Sequence, residues 1–146
     1  MKKLSLLIIV LLTAFSCNNQ KKEKTDLTKE NLKGKVKSYT EISYKAIERF
    51  GTIEKGERLK SIQIKYNNKG NKIETSYYSL DGSLSSKHIY KYDNKGNKIE
   101  MSSSNSFGKK SKYIYKYDNF DKKGNWTKKI TFKNGIPDKI LERNFG

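Results

Sequence analysis

The 146-residue chain predicts an all-β fold, an antiparallel up-and-down meander of about eight strands, strongly curved or barrel-like and built from repeated hairpins. Three observations predict it. Short polar segments ending in glycine recur along the chain. Apolar and charged residues alternate between them with a period of two. A phrase, "IYKYDNKGNKIE" at 89–100, has a near-copy in "IKYNNKGNKIE" and a looser one in "IYKYDNFDKKGNW".

The first element is not part of the fold. MKKLSLLIIVLLTAFSC has a charged start at Lys2 and Lys3, an apolar run Leu4 to Leu12 and a small-x-small exit Ala14-Phe15-Ser16, the layout of a secretory signal peptide. The apolar run falls short of the about 20 residues of a membrane span. The only cysteine, Cys17, follows immediately, without a disulfide partner in an oxidising compartment. The segment NNQKKEKTDLTKENLKG comes next; it is polar without an evident core face and reads as a tether, with a short helical turn after Asp26 that ends at Gly34. The predicted organisation is therefore a signal peptide over 1–16, a tether over 17–33 and a β-hairpin domain over 34–146.

Within that domain, Val36, Ile42 and Tyr44 suggest a first strand, followed by a longer connection from Glu48 to Glu57. The later strands lie between turns. Asn67 to Gly70, Ser79 to Gly82, Asp93 to Gly96, Asn105 to Gly108 and Asp121 to Gly124 each begin with Asp, Asn or Ser and end with Gly. The polar side chain accepts backbone hydrogen bonds at the start of a type I turn, and glycine tolerates positive φ at its end. Asn134-Gly135 predicts a two-residue hairpin turn.

Alternation sorts the strands into two faces. One collects Ile62, Ile64, Tyr66, Ile73, Tyr77, Leu84, His88, Tyr90, Tyr92, Ile99 and Met101, then Tyr113, Tyr115, Tyr117, Trp126, Ile130 and Phe132. The other collects Lys65, Lys72, Glu74, Lys87, Lys91, Lys98, Glu100, Lys112, Lys116 and Lys129. Four-residue loops at Gly70, Gly82, Gly96 and Gly124 keep the apolar sets together, opposing Ile64 to Ile73. At Gly108 only a three-residue loop, Ser106-Phe107-Gly108, does so, and it sets Met101 opposite Tyr113. That shorter turn accounts for SKHIYKYDN recurring as SKYIYKYDN one residue earlier than the glycine spacing implies. A sheet of this size has a face of about 1,000 Å², more than the about 300–600 Å² of apolar patch a monomer exposes. Curling towards a barrel follows as the expected way to cover it.

Two resemblances add to this reading. Ala14-Phe15-Ser16-Cys17 resembles a bacterial lipobox, which implies that Cys17 is acylated and becomes the mature N-terminus, a stable membrane anchor. Asn18 after that cysteine implies the outer membrane, and the mainly basic tether, unlike the acidic one that marks surface display in some lineages, implies its periplasmic side more than the surface. YDNKGNKIE and YDNFDKKGNW resemble the repeats of the Rhs/YD-repeat family, whose units are β-hairpins in curved sheets; the likeness covers 62–132 and implies a small exported lipoprotein with YD-like repeats.

Function is less explicit. The net charge of +17 favours anionic partners such as glycans, lipid headgroups or acidic proteins, and equally suits lysines that solvate one face and protect strand edges. Nothing resembles a nucleic-acid motif. His88 is the only histidine and, with Ser86, lacks a third catalytic member. No zinc spacing exists, and Lys95 interrupts the one calcium-like loop. No cofactor and no enzyme activity are expected. The candidate ligand-binding residues are Tyr66, Tyr77, His88, Tyr90, Tyr92, Tyr113, Tyr115, Tyr117 and Trp126, which could stack on a ligand or simply fill a core. The expected function is a non-catalytic, membrane-anchored binding or structural module, with an inhibitor of an exported toxin, or a glycan- or lipid-binding protein, as the alternative.

Overall fold

The computed structural model describes residues 25–146; the predicted signal peptide, Cys17 and the start of the predicted tether lie outside them. One helical turn, α1 (Asp26–Lys29), precedes β1 (Ser38–Arg49), β2 (Thr52–Tyr66), β3 (Lys72–Tyr78), β4 (Leu84–Tyr92), β5 (Lys98–Asn105), β6 (Lys110–Phe120), β7 (Trp126–Lys133) and β8 (Ile136–Glu142). The strands form one antiparallel sheet in chain order. The predicted meander is present; the predicted barrel is not. Among the described residues β1 and β8 are edge strands paired on one side only, and the sheet is neither closed nor strongly curled. The expectation of closure assumed a bare apolar face. Here lysine ammonium groups stand over the rings on that face, Lys98 Nζ 4.3 Å from the Tyr90 centroid and Lys129 Nζ 5.6 Å from the Tyr115 centroid, and such cation–π contacts cover the aromatic faces without a second sheet.

The five glycine turns share one geometry. The first residue's N–H donates to the carbonyl four residues on, and the glycine N–H returns to the first residue's carbonyl, as in Asp93 N to Asn97 O (2.9 Å) and Gly96 N to Asp93 O (3.1 Å). Asp93 Oδ1 accepts from the backbone N–H of Lys95 and Asn97 (2.9 and 2.8 Å); Asn67 and Asp121 repeat the pattern. Gly96 has φ +82°, the left-handed conformation that glycine alone adopts without strain. Asn134 and Gly135, both at positive φ, make the predicted two-residue turn between Lys133 and Ile136. The connection predicted over Glu48 to Glu57 is instead a tight turn at Phe50-Gly51, both at positive φ, within a long β1–β2 hairpin bent by irregularities near Tyr44. Phenylalanine is not a residue that announces such a turn.

Each glycine turn leaves three residues between the paired ends, as predicted at Gly108 but against the four predicted at Gly70, Gly82, Gly96 and Gly124. At Gly70, Gly82 and Gly96 the ladder then shifts again beside the turn, at Tyr66, Tyr78 and Tyr92. The net register lies two residues from the predicted one: Ile64 opposes Thr75 and Tyr90 opposes Met101. Because side chains alternate with period two, a slip of two preserves the faces. The bulges carry Lys72 and Lys98 towards the tyrosine face, against expectation: Lys72 pairs with Tyr66, and Lys98 stands over Tyr90. At Gly108 the ladder runs without a bulge and Met101 opposes Tyr113 as predicted.

At Gly124 there is no compensating bulge, so the register is off by one. Ile130 opposes Lys116 and Phe132 opposes Ile114, while Lys129, Thr131 and Lys133 oppose Tyr117, Tyr115 and Tyr113. Ile130 and Phe132 therefore leave the tyrosine face. Trp126 nevertheless packs on Tyr117, ring centroids 5.7 Å apart, beyond the irregular stretch where Asn119 takes positive φ.

The opposite face carries a repeated charge motif. Glu74 bridges Lys65 and Lys87, both at 3.0 Å, and Glu100 bridges Lys91 and Lys112 at 3.0 and 3.2 Å. The near-copies in the sequence are thus two copies of one cross-strand lysine–glutamate–lysine triad.

The segment read as having no core face does supply one. Leu27 of α1 is buried with Ile64 and Tyr66, and Leu32, Val36, Tyr39 and Ile62 pack around them. Thr25 caps α1, and Leu27 N donates to Gly70 O at 3.0 Å, fixing this strap to the β2–β3 turn. In β1 the residue against Ile64 is Tyr39, whereas Ile42 and Tyr44, chosen from the sequence, are exposed.

Candidate functional site

The tyrosine face divides into a strapped half and a cation-covered half. In the strapped half, a cleft of about 270 Å³ lies between Glu30 of the strap, Tyr39 of β1, Ile62 and Ile64 of β2, Lys72, Thr75 and Tyr77 of β3 and Tyr90 of β4. Glu30 accepts from Lys72 Nζ at 2.8 Å and from the Tyr39 hydroxyl at 3.1 Å. The Lys72 hydrogen bond is the main reason the Glu30 carboxyl sits below its ordinary range. Tyr39 stacks on Tyr66 at 6.3 Å. His88 packs edge-on against Tyr77 at 5.5 Å, and its Nδ1 lies 3.4 Å from the Tyr90 hydroxyl.

Two buried polar atoms here have no hydrogen-bond partner among the described residues: Tyr66 Oη and Thr75 Oγ1. Their residues are 5% and 3% exposed. Burial raises the Tyr66 phenol well above its usual range, so it is a neutral donor at any physiological pH. Buried polar groups are nearly always satisfied, and an unsatisfied hydroxyl in the lining of an open cleft, Thr75 Oγ1, is suited to a hydroxylated ligand.

In the other half the rings are covered. Lys129 stands over Tyr115 and Trp126 at 5.6 and 5.0 Å, Lys133 over Tyr113 at 5.7 Å, and the Arg143 guanidinium over Trp126 at 3.4 Å. Burial pushes the Lys98 and Lys129 ammonium groups below the ordinary lysine range.

The sequence-predicted candidates therefore do not form one continuous site. Tyr66, Tyr77, His88 and Tyr90 gather at or beside the cleft. Tyr113, Tyr115 and Trp126 lie under cations. Tyr92 and Tyr117 have their hydroxyls engaged by the backbone, donating to Lys72 O at 2.7 Å and Lys98 O at 2.8 Å, each acceptor beside a bulge. Sequence reasoning missed Glu30, Tyr39 and Lys72. Tyr39 was legible as one more inward tyrosine at period two; Glu30 was not, since nothing local folds the strap onto the sheet.

Comparison with family models, curated proteins and solved structures found no match to this chain.

Proposed function

We propose that the chain is a non-catalytic bacterial envelope lipoprotein, anchored through Cys17 to the periplasmic side of the outer membrane, whose YD-like repeat sheet binds a neutral glycan at the strapped end of its tyrosine face. The observation that carries this reading is the cleft walled by Tyr39, Tyr77 and Tyr90 with the unpartnered Thr75 Oγ1 in its lining; a second unpartnered hydroxyl, Tyr66 Oη, is buried next to it against the Tyr39 ring. Sugars present hydroxyls for such atoms and apolar ring faces for tyrosines. Glu30 and Lys72 neutralise each other across 2.8 Å, and Glu41, also in the lining, leaves the cleft with one net negative charge, which disfavours an anionic ligand.

The test is titration of the full chain with a panel of neutral oligosaccharides. Tyr77→Ala is expected to weaken binding about tenfold, the equivalent of about 1.4 kcal/mol, while the folded spectrum is retained. Absence of saccharide binding, or an unchanged affinity in Tyr77→Ala, refutes the reading.

The edge strands support a second reading, an inhibitor of an exported toxin. Among the described residues β8 pairs only with β7, and Ile136 and Ile140 on it are exposed; an extended partner strand can add to such an edge. Binding of an exported toxin that is lost when Ile140→Lys blocks the edge supports this alternative; binding unaffected by that change removes it.

A further inference from the structure

In an up-and-down meander, odd and even connections fall at opposite ends of the sheet, and here the two ends differ in chemistry. The β1–β2, β3–β4 and β5–β6 turns present exposed Phe50, Leu80 and Phe107. The β2–β3, β4–β5 and β6–β7 turns present Lys69, Lys95 and the pair Lys122-Lys123, all exposed.

The strap closes on the lysine end. Between it and the β2–β3 turn lies a cleft of about 720 Å³, with Lys33, Lys35, Lys37 and Lys69 among its lining residues, Leu27 and Leu32 as apolar lining, and no acidic residue among the described ones. Most carboxylates at this end are already engaged: Asp93, Asp118 and Asp121 by neighbouring backbone N–H groups, Glu30 by Lys72, and Asp26 by Lys29, Lys72 and Tyr92; Glu142 stands exposed at the far edge, on β8. Among the described residues none of those four lining lysines forms an ion pair.

The chain also leaves the described structure here. Thr25 touches the site where a Cβ on Gly70 would stand, and only residues 18–24 separate it from Cys17. Seven residues reach at most about 25 Å when fully extended.

We infer that the lysine end is a membrane-facing surface that takes the phosphate headgroups of an anionic bilayer, holding the sheet end-on with the phenylalanine turns pointing away. The inference rests on the anchored reading above for its tether, and on the lysine groove for its lipid preference. Clustered lysines bind anionic surfaces when held within about a Debye length, roughly 10 Å, and one lipid anchor plus a polybasic patch binds far more stably than either alone.

The test places the full-length chain on vesicles that carry a fluorescent headgroup acceptor. Trp126 is the only tryptophan and lies at the lysine end; a Trp126→Phe, Phe107→Trp variant moves the donor to the other end. On vesicles containing phosphatidylglycerol, energy transfer is expected to be greater from Trp126 than from position 107. That excess is lost in high salt and in a Lys33→Glu, Lys35→Glu, Lys37→Glu, Lys69→Glu variant, but kept in a charge-matched control, Lys45→Glu, Lys55→Glu, Lys109→Glu, Lys110→Glu. An equal excess on purely phosphatidylcholine vesicles means the tether alone orients the sheet and overturns the inference while the anchor stands. A larger signal from position 107 overturns it in favour of insertion of the phenylalanine turns. Flotation with phosphatidylglycerol vesicles only, with the Trp126 excess present, supports the inference and refutes the anchor. Failure to float with either vesicle refutes both.

Discussion

The Tyr92 hydroxyl shares its one proton between Lys72 O and Asp26 Oδ2, the latter at 3.0 Å and 66 positions away in the chain. The same hydroxyl lies 2.7 Å from Lys72 O, and Asp26 Oδ2 accepts the Lys72 backbone N–H at 3.0 Å. One phenol thus closes a bulge and latches the N-terminal strap at once. Its equivalent, Tyr117, reaches only Lys98 O.

Tyr92→Phe should therefore cost more than Tyr117→Phe. Loss of a hydrogen bond to a charged group costs about 1.5–3 kcal/mol, against about 1 kcal/mol for a neutral one. Denaturant melts measure the difference, and hydrogen exchange should show the Leu27 amide released in Tyr92→Phe alone.

Acid should loosen the strap and the triads together. Burial works to raise the Asp26 carboxyl, but hydrogen bonds from the Lys72 backbone, Lys29 and Tyr92 outweigh it and hold the group below its ordinary 3.8. Hydrogen bonds from paired lysines hold Glu100 below 4.5, and hold Glu74 there against burial. Lowered folded values mean stability that is complete above the ordinary values and lost as pH falls through the folded ones. Stability should be flat from pH 7 to about pH 5 and fall below pH 4. An Asp26→Asn variant should lose part of that acid slope; an unchanged slope would show that Asp26 does not hold the strap.

Gly70 and Gly96 have nearly the same backbone, φ +80° and +82°, but different surroundings. A Cβ on Gly96 meets nothing within 4 Å, so Gly96→Ala should cost the left-handed penalty alone, about 1–2 kcal/mol. A Cβ on Gly70 would lie 2.9 Å from Thr25 Oγ1 and 3.1 Å from Leu27 Cδ1. Gly70→Ala should cost more and expose the strap to protease, which thermal melts and limited proteolysis can compare directly.

The charge triads should contribute little one at a time. Surface pairs are worth about 0–1 kcal/mol each and each glutamate makes two, so Glu74→Gln and Glu100→Gln should each lower stability by no more than about 2 kcal/mol, with nearly additive effects because no residue is shared. A strongly non-additive double variant would show that the two triads communicate through β4.

The elements legible in the sequence were those with local chemistry. Asp93 and Gly96 state a turn by themselves, and Lys65, Glu74 and Lys87 state a face by alternation. What was lost lay in the bulges. A bulge beside Tyr92 moves Lys98 across the sheet, and its absence beside Gly124 moves Ile130 and Phe132 the other way, yet neither site differs in composition in a way that spacing can read. The cleft was half legible for a related reason: its tyrosines sit on strands, whereas Glu30 arrives on a strap whose docking depends on one buried leucine and a phenol 66 positions away.

The triad repeat also says something about ancestry. A unit that leaves and re-enters the sheet at the same end, restoring both faces as it does so, is one that a gene can duplicate in tandem without disturbing the copies on either side. Width, in such a molecule, becomes a heritable dimension that changes by whole hairpin pairs, and the open edges place no upper bound on it.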